Sequence, residues 1–128
     1  MTVTLGYATA AGTRLDLDDQ LAALAAAGVD SRRIFTDLTH GSADKMRAGL
    51  LAMLSYARSG DVVVVVALER LGRSVAEVTR TVADLTTRGI TLRCLQNGLD
   101  TATATGRVVA EVLSDLAALD DSQSAHRS

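Results

Sequence analysis

Two arginines, Arg70 and Arg73, stand at the end of the apolar stretch DVVVVVALERLGRS, residues 61–74. Five consecutive valines belong in a core, so the charges that follow them need a purpose. Two guanidinium groups at the entrance to a helix can grip one phosphate diester from two sides, through paired N–H donors and the helix terminus. The plainer alternative is a solvated turn in which both pair with nearby carboxylates such as Glu69.

The segments that would position these arginines alternate between strand-like and helix-like patterns. TVTLGYA (2–8) is β-prone, and residues 16–27 place Leu17, Leu21 and Leu24 on one helical stripe that Gly28 ends. RRIFTD (32–37) reads as a strand, and 44–58 reads as a helix with Met46, Leu50, Leu54 and Ala57 on one side. After the valine strand, Ser74 and Glu77 form an S-x-x-E capping box that opens a helix along Val75, Val78, Val82 and Leu85. Gly89 ends it. ITLRCL (90–95) is a fourth strand, and a last helix covers about 104–120.

This β-α-β-α-β-α-β-α order predicts a three-layer α/β/α fold with a mainly parallel central sheet and helices on both faces. The valine strand fits a central, doubly buried position. Residues 1–119 form one domain, and the polar segment 120–128 is expected to be a disordered tail. Ligands of such sheets bind beyond the carboxyl ends of the strands. Two nucleotide signatures are missing: no G-x-x-x-x-G-K-[ST] occurs, and no G-x-G-x-x-G follows the first strand.

Composition narrows the function further. The chain has 128 residues, net charge −2, 48% hydrophobic residues and no proline, and its aromatics are Tyr7, Phe35 and Tyr56 alone. The core must therefore be aliphatic, and no global positive charge advertises nucleic-acid binding. Twelve of the thirteen basic residues are arginines, which suits phosphate contacts but also follows from a GC-rich genome. Cys94 is single, so an internal disulfide or a cysteine zinc site is excluded, and a buried inert thiol is expected. No apolar run approaches the roughly 20 residues that span a bilayer, and MTVTLGYATA has no charged leader. A cytoplasmic protein without a membrane association is expected.

LERLGRS (68–74) resembles the L-D-R-L-G-R-S signature of the serine recombinases, the resolvase and invertase family. GYATAAG stands where that family has G-Y-A-R-V-S-T, and Asp37 to Gly41 (DLTHG) matches D-x-x-S-G. RAGL (47–50) matches R-P-G-L, SGDVVVV (59–65) matches the family's central strand, and LDTATATGR (99–107) matches the entry to a long dimerisation helix. The resemblance implies a serine that attacks a scissile DNA phosphate, arginines that neutralise the developing charge, and no metal or other cofactor. It assigns Arg47, Arg70 and Arg73 to phosphate binding, with Tyr7 and Glu69 beside them.

The departures from the pattern matter most. Thr9 stands at the motif arginine, and Ala11 stands at the nucleophilic serine. An alanine has no atom that can attack phosphorus, and losing a nucleophile costs on the order of 10⁶ in rate in well-studied hydrolases. The expectation is a catalytically inactive recombinase-like domain whose catalytic positions Tyr7, Thr9, Ala11, Arg47, Glu69, Arg70 and Arg73 are remnants. Such a domain would bind DNA weakly and act by association. Val109, Val112, Leu113 and Leu116, with Val108 and Leu119, give the last helix a wide apolar stripe for a homodimer or a heterodimer with an intact recombinase. Two alternatives stay open: strand exchange by an unrecognised nucleophile such as Thr9 or Thr13, and a small anionic-ligand-binding domain. His40 replaces the serine of the second loop and is expected to be solvated.

Overall fold

A computed structural model describes residues 2–11, 14–39, 48–72 and 74–126. It contains strands β1 (Thr4–Ala11), β2 (Ile34–Thr39), β3 (Val62–Val65) and β4 (Thr91–Cys94). Between and after them lie helices α1 (Arg14–Ala26), α2 (Ala48–Tyr56), α3 (Val75–Thr87) and α4 (Ala104–His126). The sheet order is β2-β1-β3-β4, and every neighbouring pair is parallel. The valine strand lies inside the sheet, between β1 and β4, as its composition requires.

Alternation along β3 divides the core in two. Val63 and Val65 join Leu5, Tyr7, Leu92 and Cys94 on one face, beneath Met53 of α2, Val82 and Leu85 of α3, and Ala110 of α4. Val64 faces the other way and packs with Ala8, Val29 and the α1 residues Leu17 and Leu24. The helices are therefore distributed unevenly, with α1 alone on one face. Cys94 is buried.

Local rules account for most boundaries. Ser74 is the N-cap of α3, and its hydroxyl accepts from the Glu77 N–H at 3.1 Å. Gly28 and Gly89, which follow α1 and α3, take φ of 93° and 74°, backbone that favours glycine. Arg88 ties the ends of two helices together. Its Nη2 donates to the Leu54 and Ala57 carbonyls at 2.7 and 2.9 Å, at the end of α2, and its Nη1 meets Asp84 at 3.3 Å.

Three expectations shift. β1 runs to Ala11 and β2 to Thr39, further than their β-prone stretches suggest, because each strand supports the other through the Thr9–Asp37 and Ala11–Thr39 register. Val75, expected on the buried stripe of α3, is 78% exposed, at the first position of the helix. α4 continues to His126, where a disordered tail from Asp120 was expected, and no glycine or proline after Gly106 stops it. Replacing Ser74 with alanine should lower stability by about 1 kcal/mol through loss of the cap; urea unfolding followed by circular dichroism measures it.

Candidate functional site

The carboxyl ends of the strands converge on one edge of the sheet, where β1 ends at Ala11, β2 ends at Thr39, and a 3₁₀ turn, Leu68–Leu71, follows β3. The turn brings Arg70 to β1, and its Nη1 donates to the Thr9 carbonyl at 3.4 Å. Arg70 and Thr9, 61 residues apart, are thus neighbours two residues before Ala11. Arg47, Arg73, Thr13 and His40 lie outside the described residues.

The Thr9 backbone is held from a second direction. β3 pairs with β1 only as far as Tyr7, so β1 outruns its neighbour. Gln20 of α1 reaches across at that point: its Oε1 accepts from the Thr9 N–H at 3.3 Å, and its Nε2 donates to the Thr9 carbonyl at 2.8 Å. Gln20 is itself buried, which makes those bonds costly to lose. The Thr9 side chain is 2% exposed, and its hydroxyl has no hydrogen-bond partner among the described residues.

Tyr7 and Asp37 form the other half of the arrangement. The Tyr7 hydroxyl donates to Asp37 Oδ2 at 2.6 Å, while the ring is fully buried. The same carboxylate accepts from the Gly49 and Leu50 N–H groups at 2.7 and 3.0 Å. Asp37 therefore caps α2 from outside the helix, and its negative charge sits at the positive end of the helix dipole. The N-terminal donors of α2 that face this edge are taken by a residue of the chain itself. Gly49 permits the contact, because a Cβ there would lie 2.3 Å from the Thr36 carbonyl oxygen.

Glu69 does not join this group. It is exposed and lines an apolar groove of about 440 Å³ with Gly72, Ser74, Val75, Val78, Thr79 and Leu113, on the side where α3 meets α4. Gly72 is required by packing, since a Cβ would lie 2.6 Å from the Glu77 Cβ. Its φ of −169° is ordinary extended backbone. Of the residues the sequence singles out, Tyr7, Thr9 and Arg70 come together, and Ala11 follows on the same strand. Sequence reading passed over Gln20 and the role of Asp37. Gln20 could have been noticed as a polar residue among the leucines of α1, but no spacing rule links Asp37 to Gly49.

On the inner side of α4, Ala110 and Ala117 are buried and Leu113 packs against the main core. Leu113 therefore supports the fold, although its sequence position suggests a place in the associating stripe. Val108, Val109, Val112, Leu116 and Leu119 stay exposed, Val112 and Leu116 by 52% and 46%. No described helix is long and apolar enough to cross a membrane.

An all-parallel four-stranded sheet with helices on both faces defines an α/β fold of the resolvase type. The catalytic domain of the TP901-1 integrase superposes with a TM-score of 0.71 at 23% identity, covering 95% of this chain and 98% of that one. A resolvase family site-specific recombinase from Streptococcus pneumoniae gives 0.67 at 20% identity, covering 99% and 93%. At such identities the likeness is one of fold. The family model "Resolvase, N terminal domain" matches residues 7–128, and the chain belongs to that family. It is 36% identical over 112 residues to the transposon Tn3 resolvase of Escherichia coli, covering 88% of this chain and 60% of the relative. It is 37% identical over 117 residues to the DNA-invertase hin of Salmonella typhimurium, covering 91% and 60%. The chain thus spans about 60% of the length of these relatives.

Tyr7→Phe should cost about 1–2 kcal/mol, because it removes a buried donor from Asp37. Asp37→Ala should cost more, about 2–3 kcal/mol, since two helix N–H groups also lose their acceptor. Denaturant unfolding of both single variants and the double variant checks this. Strict additivity would show that the Tyr7–Asp37 bond contributes nothing.

Proposed function

We propose that this domain is a recombinase-family member that does not cleave DNA and acts by association with a partner recombinase, with itself or with DNA. The observation that carries the reading is Ala11 at the end of β1, where the family motif has its nucleophilic serine. Two neighbouring features support it. Thr9 replaces the motif arginine, and Arg70 spends a guanidinium N–H on the Thr9 carbonyl. A substitute nucleophile at Thr9 is disfavoured by burial, because a hydroxyl that solvent cannot reach has no path to an incoming phosphate.

Phosphate contact falls to Arg70, Arg47 and Arg73, a set sufficient for weak binding. Each neutralised phosphate contributes roughly 0.9 to the salt slope of binding to duplex DNA. Association uses the uncovered side of α4, where five large apolar residues are exposed on a small domain. The relatives' names speak of resolution and inversion; the share of those activities that reaches this chain is the binding part, in the cytoplasm where the DNA is.

Incubated with supercoiled plasmid, the purified chain should yield neither nicked product nor a covalent protein–DNA adduct. A phosphothreonine-linked adduct, identified by mass spectrometry, would overturn the inactive assignment. Leu116→Glu should abolish association detected by sedimentation velocity while leaving the circular dichroism spectrum unchanged. Leu113→Glu should instead lower the melting temperature, since that side chain lies against the core.

A further inference from the structure

Asn97 is the only asparagine in the sequence, and the residue after it is Gly98. The pair lies between β4 and α4, with both residues exposed. Asn97 forms an Asx turn, its side-chain Oδ1 accepting from the Leu99 N–H at 3.0 Å. Gly98 takes a φ of 73°, and a Cβ built on it would meet nothing within 4 Å. The Gly98 N–H has no hydrogen-bond partner among the described residues.

These are the conditions under which an asparagine cyclises on its own backbone. Its side-chain carbonyl carbon, Cγ, is an electrophile, and the nitrogen of the next residue closes a five-membered ring with it. Glycine presents that nitrogen without a side chain to crowd the approach. A solvated N–H with no partner also gives up its proton without breaking a bond inside the protein. As the nitrogen attacks, negative charge gathers on Oδ1. The Leu99 N–H already donates to that oxygen at 3.0 Å, within the range of an oxyanion donor.

We propose that Asn97–Gly98 is a self-modification site, where the chain deamidates through a succinimide and loosens the connection that carries α4. The Gly98 N–H gives its proton to water or hydroxide, and its nitrogen bonds to Asn97 Cγ. The side-chain nitrogen takes up a proton and leaves as ammonia. Water then opens the ring. Attack at Cγ yields aspartate, whereas attack at the Asn97 main-chain carbonyl carbon yields isoaspartate, whose main chain is longer by a methylene. The turn is tied on both sides, because the Gln96 N–H donates to the Val66 carbonyl at 2.8 Å and the Cys94 N–H to the Leu99 carbonyl at 2.9 Å. Thr101 is bound to Leu92 through its N–H at 3.0 Å and its Oγ1 at 2.9 Å. A longer main chain between these ties displaces the strap 99–101. The start of α4 rests on that strap so closely that a Cβ at Gly106 would lie 1.8 Å from the Asp100 carbonyl oxygen. The inference stands apart from the associative reading above.

The full chain, incubated in mildly alkaline buffer and sampled by isoelectric focusing, should accumulate a more acidic isoform. Peptide mapping by mass spectrometry should place the amide-to-acid exchange at Asn97, and enzymatic detection of isoaspartate should mark the same peptide. The native chain should convert within about ten-fold of its rate in urea, a barrier difference below about 1.4 kcal/mol. Asn97→Gln should abolish the acidic isoform, because glutamine would have to close a larger ring. The isoaspartate fraction should melt several degrees below the parent chain. Asn97→Asp, which adds the charge without the methylene, should melt close to the parent. No conversion at Asn97 in the native chain, or conversion far slower than in urea, would overturn the proposal. So would an acidic isoform that maps to Gln20, Gln96 or Gln123 and persists in Asn97→Gln. Equal melting of the isoaspartate fraction and the parent chain would overturn the link to α4.

Discussion

One carboxylate holds the functional edge of this domain together. Asp37 at the end of β2 accepts from the hydroxyl of Tyr7 in β1 and from two N–H groups at the start of α2. Two strands and a helix are thereby fixed at a single point. The chain approaches itself so closely there that Gly49 has no room for a side chain. A tyrosine hydroxyl buried without that carboxylate would be an unsatisfied donor, and the helix terminus would lose its counter-charge. Tyr7 is therefore a structural residue first. Its hydroxyl keeps the ends of β1 and β2 rigid beside Arg70.

A similar economy governs Thr9. Its backbone continues β1 beyond the last residue paired with β3, and the missing neighbour is replaced by one side chain, Gln20. Arg70 then anchors to the same carbonyl. The first and third strand ends are joined by side chain to backbone contacts where the regular ladder has stopped. That arrangement keeps Arg70 oriented at the end of β1.

The sheet was legible in the sequence for a simple reason. Five valines with helical patterns on either side admit one placement, inside a parallel sheet, and Val63, Val64 and Val65 are all fully buried. The S-x-x-E cap at Ser74 and the terminating glycines are local chemistry and were equally readable. Less legible were features that depend on tertiary distance. Asp37 bonds residues 12 and 13 positions further on, Gln20 bonds across a helix–strand interface, and Leu113 turns inward because α3 lies beneath it. Periodicity gave a six-residue stripe on α4, but only the packed helix separates the residue that supports the core from those left outside. The length of α4 was missed because a run of Asp, Ser and Gln reads as a tail, although nothing in it breaks a helix.

The position of α4 in the chain has a consequence for how the protein comes into being. All four strands and α1 to α3 lie before residue 95, so the sheet and both core clusters, apart from Ala110 of α4, can assemble from neighbouring βα units before α4 is complete. During synthesis α4 leaves the ribosome after the four strands and α1 to α3. It is then laid onto a domain whose interior is already largely closed. The apolar stripe is therefore presented late, by a folded scaffold, which shortens the time in which sticky surface and unpaired strand edges coexist on one chain.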